Sequence, residues 1–141
     1  MERLLYISES RIEPANAQMI VQQIVAKSVS NNATTNLTGA LLFTGTHFAQ
    51  ILEGTPHSID QLLVDLCNDP RHQNFHVADR SAIEARKFPD WAMAYSGPSQ
   101  FVTRHVERLL NDITRSERRR GTEWLTELAF EFSSTRSGDR N

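Results

Sequence analysis

The apolar residues of this chain change period as it is read from its N-terminus, and that change limits the folds open to it. Residues 3–8 alternate, with Leu4, Tyr6 and Ser8 on one side and Leu5 and Ile7 on the other, as a strand requires. Residues 14–31 switch to helical spacing through Met19, Ile20, Ile24 and Val25, and the pair Asn31-Asn32 suits a helix end. Residues 37–43 and 48–52 return to strand, joined across Thr44-Gly45-Thr46 as a hairpin. Thr55-Pro56 sets a capping hydroxyl before a proline at the first helical position. Ile59, Leu62, Leu63, Leu66 and Cys67 then follow helical spacing until Asn68-Asp69-Pro70 stops it. A weaker strand at 75–83 and a last one carrying Trp91, Met93 and Tyr95 complete the series.

This order implies an α+β, ferredoxin-like βαββαββ sheet with both helices on one face. The other face needs a cover. Beyond the turn-forming Ser96-Gly97-Pro98-Ser99, two amphipathic helices can supply it. Val102, Val106, Leu109 and Ile113 line the first, over residues 99–115. Trp124, Leu125, Leu128 and Phe132 line the second, over 122–132. The expected organisation is a binding domain at 1–97, a helical extension at 98–133 and a disordered tail at 134–141. At 141 residues the chain has room for one compact core. Its net charge of −2 argues against a nucleic-acid partner. A single cysteine excludes an internal disulfide and a multi-cysteine metal site. No secretory signal or membrane-length apolar run is visible, so a cytoplasmic location without membrane contact is expected.

Several polar side chains fall where the pattern looks inward. Gln50 sits between Phe48 and Leu52 in its own stripe, and a buried amide left unpaired costs ~1–3 kcal/mol. Tyr6 can meet it, either as an ordinary core pair or beside a ligand. Asn31 and Asn32 close the first helix, while Arg71 and His72 follow the proline that ends the second, positions that turn chemistry also explains. With both helices side by side, a planar hydrogen-bonding ligand fits between them, held at its edges by Asn32, Gln50 and Arg71. The pattern does not identify that ligand. Other chemistries find little support: there is no phosphate-binding glycine loop, nucleophile elbow or His-Glu-x-x-His, and the five histidines lack metal-ligand spacing. Asp65 and Asp69, one turn apart, read as a solvated helix face. Arg118-Arg119-Arg120 reads as a solvated, dipole-compatible helix end or linker rather than a nucleic-acid patch.

Taken together, the residues resemble the BLUF family of flavin-using blue-light receptors. Leu5-Tyr6-Ile7-Ser8 is similar to its first strand, and Asn32 through Thr38-Gly39-Ala40-Leu41 to its asparagine followed by a threonine-glycine strand. Phe48-Ala49-Gln50-Ile51-Leu52-Glu53-Gly54 resembles its third strand, with Ala49 where a larger apolar residue is common. Asp69-Pro70-Arg71-His72 resembles its Asp-x-Arg-His turn, and Arg86-Lys87-Phe88-Pro89-Asp90-Trp91-Ala92-Met93 its Arg-x-Phe-x-x-Trp-x-Met ending. The motifs span residues 3–96 in order; the tail beyond 97 has a length similar to that of short, stand-alone members.

The resemblance implies noncovalent FAD, with its ring between the two helices. Asn32 would bond the ring's carbonyl and imide edge, with Asn31 toward the ribityl-phosphate side. Arg71 and His72 would reach the opposite carbonyl edge. Ile24, Ser28, Leu41 and Phe48 would line the ring, Ser8 would belong to the same pocket, and Asp69 would brace the turn. Tyr6 would be the electron and proton donor and Gln50 the relay, by rotation or tautomerisation of its amide. Trp91 and Met93 would carry the signal onward, or serve simply as core. The implied function is a light switch without enzymatic turnover, acting through a downstream effector protein or a homo-oligomer such as a dimer. A small acylphosphatase-like hydrolase and a flavin-free interaction module are the alternatives.

Overall fold

The structure, a computed structural model, describes residues 1–11, 19, 36–68, 72–88, 91–96, 100–111 and 114–138. Five strands are present: β1 (Glu2–Ser10), β2 (Thr38–Phe43), β3 (His47–Gly54), β4 (His72–Ala82) and β5 (Trp91–Ser96). Three helices are described: α1 (Pro56–Cys67), α2 (Gln100–Leu109) and α3 (Arg115–Gly138). The helix expected at 14–31 lies outside the described residues apart from Met19, which is exposed.

The strands form one sheet in the order β4-β1-β3-β2-β5. Neighbours among the first four are antiparallel, the ferredoxin-like arrangement expected from the sequence, and β5 adds to β2 in parallel. Because side chains alternate across a strand, the sheet sorts its residues into two cores. Leu4, Tyr6, Leu41, Phe43, Phe48 and Leu52 face α1, with Ile59 of that helix. Leu5, Ile7, Leu42, Ala49 and Ile51 face the tail helices, with Val106 and Leu109 of α2 and Leu125 and Ala129 of α3. The tail helices therefore cover the face opposite α1, as their apolar stripes imply.

Local chemistry explains the element ends. Thr44-Gly45-Thr46 makes the β2–β3 hairpin, with Gly45 at φ 98° and the Thr44 N–H donating to the His47 carbonyl at 3.0 Å. Thr55 caps α1 by accepting from the Ser58 N–H at 3.2 Å, with Pro56 at its first turn. Two boundaries differ from expectation. Strand β4 starts at His72, with Asn74 at φ 52° inside it, and its ladder to β1 shifts register between Ile7 and Glu9.

Helix α3 starts at Arg115 rather than near residue 122. Thr114 caps it by accepting from the Glu117 N–H, and its hydroxyl donates to the Glu117 carboxylate, both at 3.1 Å. The run Arg118-Arg119-Arg120 consequently lies in the opening turns of α3, where the dipole disfavours cations, which corrects the dipole-compatible end expected for it. Local partners offset the mismatch. Arg118 donates to the last-turn carbonyl of Leu109 on α2 at 3.1 Å, and Arg119 lies 3.6 Å from Glu123. Gly121 lets α2 come close, since a Cβ there would sit 2.7 Å from a Leu109 methyl. No described helix is long and apolar enough to cross a membrane.

Candidate functional site

Strands β1 and β3 are adjacent and antiparallel, and their register sets Tyr6 directly opposite Gln50. Directly opposed residues on one face bring their side chains together. The Tyr6 hydroxyl donates to Gln50 Oε1, and the two residues are only 3% and 2% exposed. The same ladder sets Ser8 opposite Phe48 and Leu4 opposite Leu52, while β2 brings Leu41 beside Gln50. The floor of the site is thus an apolar sheet face with one polar pair near its middle.

Register shifts in the β1–β4 ladder fall on both sides of Tyr6, between Leu5 and Tyr6 and between Ile7 and Glu9. Such irregularities re-aim neighbouring side chains. Phe75 of β4 stacks on the Tyr6 ring with centroids 4.6 Å apart and planes 27° apart. Phe48 packs against Phe43 at 4.8 Å. Above the floor, α1 presents Ile59, which is fully buried, and Leu62, Leu63 and Leu66, which are only partly so.

The structure thus brings together Tyr6, Gln50, Ser8, Leu41 and Phe48 of the residues named from sequence. Ile24, Ser28, Asn31, Asn32, Asp69 and Arg71 lie outside the described residues. His72 opens β4, and Trp91 and Met93 lie in β5 beside Gly39 and Leu41 of β2. Two residues near the site were not singled out from sequence. Phe75 gave no signal beyond membership of a weak strand. Glu53 gave one: its parity with Ala49 and Ile51 puts a carboxylate on an apolar stripe, and it is completely buried.

The match to known proteins agrees with this geometry. Residues 1–94 match the BLUF family, described as sensors of blue-light using FAD. The chain belongs to that family. Subunit beta of a photoactivated adenylate cyclase from Euglena gracilis is 28% identical over 118 residues, which is 82% of this chain but 14% of that protein. The blue light- and temperature-regulated antirepressor BluF of Escherichia coli K12 is 37% identical over 68 residues, 48% of this chain and 17% of that one. This chain therefore spans only a small fraction of these curated relatives. Among solved structures, the BLUF protein BlrB in its dark state superposes with a TM-score of 0.69 at 28% identity, covering 94% of this chain and 96% of that one.

FAD is the cofactor of the family, and the described residues fit a flat aromatic group. The Tyr6–Gln50 pair offers hydrogen bonding at the floor, and an amide has donors as well as the acceptor that Tyr6 uses. Leu41 and Phe48 give apolar surface beside that pair, and the half-buried leucines of α1 stand above it. Apolar surface with a few placed polar groups is the usual lining of a cofactor site.

Proposed function

We propose that this chain is a blue-light switch in which Tyr6 and Gln50 are the photochemical pair. The observation that supports this reading is the buried hydrogen bond between these directly opposed residues on the face under α1. Bound FAD supplies the blue-absorbing chromophore and, once excited, the acceptor for an electron and then a proton. Tyr6 gives up that electron and its phenolic proton and recovers both, so it is not consumed. Gln50 accepts from the phenol through Oε1 in the arrangement described above. Turning or tautomerising the amide puts a donor where that acceptor stood, which changes both the bond to Tyr6 and the bond offered to the cofactor. Each such hydrogen bond is worth ~1 kcal/mol net, so the switch must act on a structural element already close to balance.

Asn31, Asn32, Asp69, Arg71 and His72 hold the cofactor in this reading, with Ser8, Ile24, Ser28, Leu41 and Phe48 around its ring. Trp91 and Met93 relay the change along β5. The output is a protein partner or a second copy of the chain, and the switch itself performs no turnover. Relatives whose names join light to cyclase or antirepressor activity agree with an input of this kind.

The test is optical. Purified protein is expected to be yellow, with a small red shift under blue light that reverses in the dark. Tyr6→Phe should keep the flavin and lose the shift. A normal photocycle in that variant would overturn the role given to Tyr6.

A further inference from the structure

We infer that Glu53 is a positioning residue that ties helix α3 to the strand carrying Gln50, so that the state of Gln50 reaches the tail through it. The inference rests on the Tyr6–Gln50 reading above and adds a route to it. Strand β3 is paired on both sides and presents Gln50 to the α1 face and Glu53, three residues on, to the tail face. The Glu53 carboxylate is fully buried, a placement tolerated only when its oxygens are well bonded. Arg3, opposite it on β1, donates to Oε2 through Nη2 at 2.6 Å and Nε at 2.8 Å. The Phe88 N–H donates to Oε1 at 2.7 Å, and the Lys87 N–H is shared between both oxygens at 3.0 Å.

Residues 86–88 belong to no strand or helix, yet they are fastened at both sides. Toward β3, Arg86 adds bonds to the Glu53 carbonyl at 2.8 Å and the Thr38 hydroxyl at 2.6 Å. Toward α3, the Lys87 ammonium pairs with Glu127 and lies 5.0 Å above the centre of the Phe130 ring. Phe88 is buried in the core shared with Leu125 and Ala129 and meets Phe130 edge-on at 6.3 Å. The path from Gln50 to α3 therefore runs along one strand, through one carboxylate and across two connector residues.

The α3 end of this path is easily loosened. A cavity of about 100 Å³, lined by Arg3, Asp79, Lys87, Thr122 and Glu127 among others, separates helix from sheet here. The buried Thr122 hydroxyl finds no hydrogen-bond partner among the described residues. The Lys87–Glu127 pair is partly solvated, so it is replaceable by water. Glu53 is the strongly held end and α3 the weakly held one, which suits an element that must shift on a small signal.

Hydrogen exchange of the flavin-loaded full chain, read in the dark and under blue light beside the absorption spectrum, tests this. In the unmodified protein, α3 amides should exchange roughly tenfold faster in the light, the factor carried by about one charge-assisted hydrogen bond. Glu53→Gln keeps the shape and turns an acceptor toward donors into a partial donor. It should retain the red shift, show raised α3 exchange already in the dark and gain nothing further on illumination. Glu127→Gln, a surface change that spares the core, should likewise shrink the light-driven increment. An undiminished increment in Glu53→Gln overturns the inference; should that variant not fold, an undiminished increment in Glu127→Gln does so. A red shift without any light effect on α3 in the unmodified protein overturns the route and leaves the Tyr6–Gln50 pair standing. Loss of the red shift itself, in the unmodified protein, overturns that pair instead.

Discussion

The two faces of the sheet are made from the same strands and differ in what they bury. On the tail side, Leu5, Ile7, Leu42 and Ile51 meet Val106, Leu109 and Leu125 in an aliphatic core whose members are almost completely buried. On the α1 side, a tyrosine and a glutamine occupy the middle of the floor, and only Ile59 of the helix is fully buried. One face is purely aliphatic at its centre. The other keeps a hydrogen-bonded polar pair buried among its apolar residues. A period-two strand permits this division because each residue step changes face, so the aliphatic core and the polar pair occupy alternate positions.

The comparison predicts that substitutions on the two faces separate stability from photochemistry. Leu125→Ala removes a fully buried side chain from the tail-side core and should lower unfolding free energy by ~2–5 kcal/mol, as read by urea titration. Its red shift should survive wherever the protein remains folded. Tyr6→Phe should show the reverse pattern, with stability lowered by ~1–3 kcal/mol, the cost of leaving the buried Gln50 oxygen without its phenol donor, and the red shift abolished. If Leu125→Ala removes the red shift in folded protein, or Tyr6→Phe proves the more destabilising, the faces are not separate in the way their composition suggests.

How far the sequence announced this arrangement varied with the kind of signal. Strand parity was the most legible, because a period of two leaves no ambiguity: Tyr6 and Gln50 were placed on one apolar-flanked stripe and meet there. The hairpin at Thr44-Gly45-Thr46 and the cap at Thr55 were equally readable, being short-range chemistry. Less legible were features that depend on distant neighbours. The start of α3 was hidden because Gly121 interrupts the helical signal, although the capping pair Thr114 and Glu117 lay in plain view. Gly121 makes sense only when Leu109 is seen against it. Glu53 was obscured for a related reason: a carboxylate reads as exposed until Arg3 and the 87–88 peptide N–H groups are brought to it by the fold. The stack of Phe75 on Tyr6 accompanies irregularities in the β1–β4 ladder that sequence pattern does not specify.

The smallest expected effect is on pH, and it belongs to the tail side. His76 of β4 lies with its Nε2 2.9 Å from Arg118 Nη1, and its pKa is lowered by burial first and by the Arg118 charge second. His105 of α2 stacks on Trp124 at 3.7 Å and is lowered by burial and then by Arg108. A histidine with a lowered pKa binds its proton less tightly when folded than when unfolded, so acid favours the unfolded chain. The contribution of both groups is complete above about pH 6.5 and is lost as pH falls through their lowered values. Urea midpoints should therefore decline from about pH 7 to about pH 5, the range in which histidine titrates. His76→Gln removes one titration while keeping an acceptor for Arg118, and should flatten part of that decline. An identical slope in His76→Gln and the unmodified protein would move the acid sensitivity away from the β4–α3 contact. A flattened slope would place it where helix α3 meets the sheet, on the face opposite Tyr6 and Gln50.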